Sequence, residues 1–169
     1  WRADVLDLHE VIGAAAEATG QLFREAGVAL TVSLSGPAPR VRADRDRLMQ
    51  VLINLLSNAV KFCSPGTGRV EIRLASGDGL ARLDVKDDGP GIDRADHEII
   101  FEKFRQVGDT LTGKPRGTGL GLPISRGIIE HFGGRLWVES EPGQGATFSF
   151  VLPVEPDRAA AGNEAPGIE

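Results

Sequence analysis

The sequence predicts an α+β fold. Two observations carry the prediction. Three long segments place apolar residues at helical spacing, and the alternating, strand-like segments come largely as adjacent pairs joined by glycine-bearing turns instead of being interleaved with helices. A third bounds its size: 169 residues, 41% hydrophobic and 25% charged, make about one domain with a core of its own. We assign residues 1–154 to that domain and residues 155–169, an Ala, Gly, Pro and Glu stretch without pattern, to a disordered tail.

Taken in order, "DLHEVIGAAAEATGQLFREAG" (Asp7 to Gly27) sets Leu8, Val11, Ile12 and Ala15 on one face and ends on glycine, as an amphipathic helix with a stop does. "VALTVSL" reads as a strand and "SGPAPR" as a turn. Asp44 is a candidate N-cap for a helix reaching Phe62. "GRVEIRLAS" and "LARLDVKD" are strands joined through "GDG". "DDGPGID" breaks the second strand, and a short helix is expected around "HEIIFEKF". "RQVGDTLTGKPRGTG" has no periodicity and is read as a loop. "LGLPISRGIIEHFGG" carries Pro123 near a helix start and Gly133-Gly134 at its end, and "GRLWVESEPGQGATFSFVLP" alternates like a closing hairpin.

Composition excludes several functions. The net charge is −5 and no basic stripe is interleaved with aromatics, so no nucleic acid partner is expected. A single cysteine, Cys63, rules out an internal disulfide framework and a Cys-rich zinc site. No apolar run is long enough for a membrane span and no signal peptide is seen, so the segment is expected to be cytoplasmic without direct membrane contact, in a parent that can itself be anchored. The start at Trp1, without Met, suggests a piece of a longer protein.

The stretch "INLLSNAVKF" holds the chemistry. Asn54, Asn58 and Lys61 fall within about 60° of each other on a helical wheel, in an otherwise apolar segment. One buried Asn is most simply a backbone cap; two in register with a lysine point to a polar cleft. Amide oxygens can ligate Mg²⁺ without adding negative charge beside a polyphosphate, and a lysine can neutralise a phosphate. In "ARLDVKD", strand alternation gives Asp87 the parity of Ala81, Leu83 and Val85, so it points inward and needs a donor such as the exocyclic amine of a base. A plain turn explains Gly89, Pro90 and Gly91 but leaves the inward acid unexplained. "GTGLGLPIS" offers glycine amides ahead of a helix start, where anions are favoured. It is neither a P-loop nor a dinucleotide fingerprint.

In combination these motifs resemble the catalytic ATP-binding domain of sensor histidine kinases, within the superfamily that includes gyrase, heat-shock chaperones and mismatch-repair ATPases. The resemblance runs from about Asp44 to Pro153, with "NLLSNAVKF", "DDGPGI", "IFEKFRQV", "GTGLGLPIS" and "GQGATFSFVLP" in the family's order. It implies a Bergerat-type two-layer α/β sandwich with a mixed, mostly antiparallel sheet packed on helices. It also implies ATP and Mg²⁺ as cofactors, with Asn58 as the metal ligand and Asn54 and Lys61 at the phosphates, all three catalytic. Asp87 would read the adenine amino group and Phe62 would lie beside the base. Gly89, Gly91, Gly117, Gly119 and Gly121 would let backbone approach the nucleotide, with Ile92, Phe104, Thr118, Leu120 and Thr147 completing its surroundings. Phe101 and Phe104 would anchor a mobile lid.

Two departures shape the functional reading. Arg105 and Gln106 follow Phe104, which leaves an arginine role at the phosphates unassigned, and none of His9, His97 or His131 sits in the family's phosphoacceptor pattern. Hydrolytic relatives place a glutamate, the general base for water, where this chain has Asn54. The expectation is therefore a domain that donates the γ-phosphoryl of Mg-ATP to a histidine on a separate dimerisation and acceptor domain, which in turn serves a response regulator receiver domain. The alternative is a nucleotide-binding regulatory module or pseudokinase without phosphotransfer.

Overall fold

A computed structural model describes residues 1–102 and 121–156. The chain opens with a short strand, β1 (Asp4–Asp7), then α1 (Leu8–Ala26), β2 (Ala29–Leu34), β3 (Arg40–Ala43) and α2 (Arg45–Phe62). The hairpin β4 (Arg69–Gly77) and β5 (Leu80–Asp87) follows, then two 3₁₀ turns, α3 (Gly121–His131), and the hairpin β6 (Arg135–Ser140) and β7 (Ala146–Pro153).

Local chemistry sets the helix ends. The Asp7 carboxylate accepts the Glu10 N–H at the start of α1, and Gly27, at φ 66°, closes it in the left-handed conformation while Val28 N–H reaches back to the Phe23 carbonyl. Asp44 caps α2 by accepting the Arg47 N–H at 3.2 Å and also accepts the Arg2 N–H at 3.0 Å. The Arg47 N–H is the main reason that its carboxyl lies below the usual carboxylate range.

The five-stranded sheet has the order β2-β4-β5-β7-β6; β2 runs parallel to β4 and every other pairing is antiparallel. Alternation along β4, β5 and β7 turns Ile72, Leu83, Val85, Phe148 and Phe150 toward the helices, where they bury against Leu52, Leu55, Leu56 and Ile129. Arg73, Arg82 and Trp137 lie on the other face, with an Arg82–Asp84 ion pair and the Arg82 guanidinium 5.1 Å from the Trp137 ring. One helical layer on one face of a mixed sheet is the two-layer sandwich that the resemblance implies. Among the described residues no helix is long and apolar enough to cross a membrane.

One local expectation needs correction, and one short strand went unread. No α-helix forms over the described part of "HEIIFEKF"; Arg94–Asp96 and Ile99–Phe101 are separate 3₁₀ turns, neither with a side-chain cap, and the second drops Ile100 and Phe101 into the core. The stretch after "SGPAPR" is strand β3, which pairs with β1 in a ribbon of its own and continues through a bridge from Val41 to Val154. The contacts of this corner reach Glu155, whose carboxylate sits 2.7 Å from Arg42.

Candidate functional site

Three pieces of backbone converge: the C-terminal half of α2, the end of β5 with the turn after it, and the first turn of α3. On α2, Asn54 and Asn58 are half-buried and Lys61 is exposed, one turn apart along one stripe as the spacing predicts. Asn54 Nδ2 donates to Ser125 Oγ at 3.1 Å, and Gly121 lies so close to Asn54 Oδ1 that a Cβ there would collide with it. Among the described residues, neither Asn58 nor Lys61 has a side-chain hydrogen bond of its own, which leaves an amide and an ammonium available to a ligand.

At the end of β5 the parity argument holds. Asp87 is 2% exposed, continuing the inward row of Leu83 and Val85, and its Oδ1 accepts the Gly89 N–H at 2.9 Å. Asp88 is exposed and accepts the Arg69 N–H at 3.0 Å. The turn "DGPGI" is then stapled to the β6–β7 hairpin. Ile92 N–H donates to Ser140 Oγ at 2.7 Å, Ser140 donates to the Gly145 carbonyl at 2.7 Å, and Gly143 N–H donates to the Pro90 carbonyl at 2.6 Å. Glycine is obligatory at two points. A Cβ on Gly89 would lie 2.5 Å from the Phe62 carbonyl oxygen, and Gly91 has φ 80° with the Glu141 carbonyl where a Cβ would go.

The end of α2 abuts this turn. Phe62 is half-buried with its carbonyl beside Gly89, and Cys63 is buried, its thiol 3.5 Å from Asp88 Oδ1 and pushed up to about 11 by desolvation. The structure thus brings Asn54, Asn58, Lys61, Phe62, Asp87, Gly89, Gly91, Ile92 and Gly121 to one region. Thr147 is a correction. It pairs with Lys86 and Glu139 on the sheet face away from the helices, whereas Ala146 is the β7 residue opposite Asp87. Phe104, Gly117, Thr118, Gly119 and Leu120 lie outside the described residues, as do Arg105 and Gln106. Ser125 was missed by the sequence reading; its signal is a lone hydroxyl in the buried stripe of Ser125, Ile128 and Ile129.

Among the described residues no group of three or more His, Cys, Asp or Glu could hold a metal ion. The donor on the stripe, the amide oxygen of Asn58, suits a metal that takes most of its ligands from phosphate and water, as Mg²⁺ does.

The sequence model for "Histidine kinase-, DNA gyrase B-, and HSP90-like ATPase" matches residues 43–156. The chain belongs to this ATPase family. Relatives of this ATPase domain include the autoinducer 2 sensor kinase/phosphatase LuxQ of Vibrio cholerae, 44% identical over 137 residues, and the sensor histidine kinase AruS of Pseudomonas aeruginosa, 54% identical over 108. Those alignments cover 79% and 62% of this chain but only 16% and 11% of the relatives, so the ATPase domain spans a small part of such proteins. Among solved structures, the catalytic domain of histidine kinase ThkA superposes with a TM-score of 0.79 at 32% identity, covering 90% of this chain and 96% of that one. Full-length ShkA in complex with AMPPNP gives 0.79 at 34%, covering 92% and 32%, and ThkA in complex with the response regulator TrrA gives 0.74 at 30%, covering 91% and 42%. The ATPase domain is therefore an ATP-binding module of the sensor-kinase type.

Proposed function

We propose that this domain binds Mg-ATP and donates its γ-phosphoryl to a histidine on a separate dimerisation and acceptor domain of a two-component sensor kinase, with a receiver domain as the next phosphoryl acceptor. The single observation that carries the reading is that the helix bearing the Asn54–Asn58–Lys61 stripe ends against the turn that follows the buried Asp87, with the Phe62 carbonyl oxygen 2.5 Å from where a Cβ on Gly89 would lie. A base and a polyphosphate need those two ends. Asp87 accepts the exocyclic amine of adenine, Gly89 and Gly91 let the turn after β5 close against Phe62 and Glu141, and Phe62 and Ile92 flank the ring. Asn58 offers its amide oxygen to Mg²⁺, and Lys61 meets a phosphate as a point charge. When bound, the metal neutralises charge on the phosphates. Gly117, Thr118, Gly119 and Leu120 join the phosphate end by their place in the motif.

Catalysis then rests on positioning and charge, and the amide stripe at the phosphate end offers no base for water. Asn54, at the place of the hydrolytic glutamate, cannot take a proton. None of the chain's own histidines lies on the amide stripe. His97 Nε2 donates to the Ile92 carbonyl at 3.1 Å, His131 packs 4.3 Å from the Trp1 ring, and His9 lies in the first turn of α1. The nucleophile thus comes from outside. The domain and a supplied acceptor domain from its parent, incubated with radiolabelled ATP, should give acid-labile phosphohistidine on the acceptor and none on the domain alone. Labelling of the domain itself, or rapid hydrolysis without acceptor, would overturn the mechanism; silence with the correct acceptor would select the regulatory module instead.

A further inference from the structure

We propose that Ser125 is a positioning residue for the phosphate end of the nucleotide, acting through Asn54, and that Asn54 therefore serves as the wall between α2 and α3 and not as a metal ligand. The inference rests on the Mg-ATP reading above and divides the labour of the two asparagines. Ser125 is 1% exposed, in the stripe by which α3 packs on α2. A hydroxyl in such a stripe costs free energy unless it is partnered, and its partner is Asn54 Nδ2, 71 residues away in sequence. One helical turn earlier on the same face, Gly121 presents bare backbone to Asn54 Oδ1.

The Asn54 amide is thus held through its nitrogen by the Ser125 hydroxyl, while its oxygen lies against the bare backbone of Gly121. A carboxamide so held cannot swing toward a metal without breaking its bond to Ser125. Asn58, one turn further along α2 and free of such contacts among the described residues, can. The Ser125–Asn54 bond also fixes the distance between the amide stripe and the start of α3, where the glycine segment ends. The base end is secured differently, through hydrogen bonds of Ser140 in the β6–β7 hairpin. Loosening Ser125 should therefore be felt by the γ-phosphate more than by the base.

Calorimetric titration of the full chain tests this, with ATP and ADP each measured with and without Mg²⁺. For Ser125→Ala the expected result is about tenfold weaker Mg-ATP binding, the size of one lost hydrogen bond, against no more than about threefold for ADP. The ratio of affinities with and without Mg²⁺ should be retained. Ser125→Thr, which keeps the hydroxyl, should recover most of the loss, and Asn54→Ala with Ser125→Ala should be no worse than the more damaging single change. Gly121→Ala, which displaces the same amide, should reproduce the ATP-selective loss and carries the test should Ser125→Ala fail to fold. Equal losses for ATP and ADP, or additive effects in the double variant, would overturn the positioning role. Loss of Mg²⁺ dependence in Asn54→Ala would return that residue to the metal. Failure of the unaltered chain to bind ATP would overturn the functional reading, and this inference with it.

Discussion

Asp87 and Asp88 are adjacent in the chain and face opposite ways: the first is buried with its carboxylate on the Gly89 N–H, and the second is exposed with its carboxylate on the Arg69 N–H. Only Asp87 can therefore meet a base in the cleft. Asp87→Asn should weaken ATP binding by about 1.5 to 3 kcal/mol, the range for a hydrogen bond to a charged group, whereas Asp88→Asn should cost well under 1 kcal/mol. Equal losses in a titration would mean that the base is not read from this strand.

Asn58 is the amide of the stripe that no described residue engages. Asn58→Ala should abolish most of the gain in ATP affinity that Mg²⁺ confers while leaving metal-free binding nearly as it was. Calorimetry at matched ionic strength, with Mg²⁺ varied, separates the two effects. An unchanged Mg²⁺ dependence would remove Asn58 as the ligand.

Gly91 and Gly36 both have positive φ, 80° and 73°, but only Gly91 has a carbonyl where a Cβ would go. Gly36→Ala should cost about 1 kcal/mol of stability, the strain of a left-handed L-residue. Gly91→Ala should cost about 1 to 3 kcal/mol more, because the Glu141 carbonyl must be displaced, and should damage nucleotide binding as well. Denaturant unfolding of the two variants gives the comparison, and equal midpoints would show that the contact is not felt.

The Cys63 thiol is 3% exposed and titrates near 11 in the folded protein against 9.0 for a free thiol. Between those values the unfolded chain has lost the proton that the folded one keeps. The folded state binds more protons there, so the contribution of Cys63 to stability is complete below about pH 9 and is lost as pH rises through 11. Cys63→Ala should flatten that alkaline decline. In the native protein, alkylation near pH 8 should be at least tenfold slower than in denaturant, since both the thiolate fraction and access are reduced.

How much of this was legible depends on the range of the interaction. Asp44 as a cap and Asp87 as an inward acid follow from local rules, capping and two-residue alternation, and both read directly off the chain. The β1–β3 ribbon did not, because each strand has four residues and is defined by a partner some 36 positions away. Thr147 was assigned to the nucleotide on motif alone, when its parity with Ser149 sets it on the outer face. Asn54 was legible as polar and in register, but the group that holds it is on another helix, and no spacing rule links residues 54 and 125.

The edge position of β2 bears on how the chain assembles. β2 pairs with β4 alone, and in parallel, so residues 35–68, including all of α2, must be closed into a loop before that ladder can form. The β4–β5 hairpin has no such debt and is flanked on its inner side by β7. Folding should therefore nucleate on the local β4–β5 and β6–β7 hairpins, with β2 added later, and in native hydrogen exchange the β2 amides should open at lower free energy than those of the central strand β5. Asp87, the proposed reader of the base, ends central strand β5 and is paired to both β4 and β7, so the edge strand can open without unpairing it.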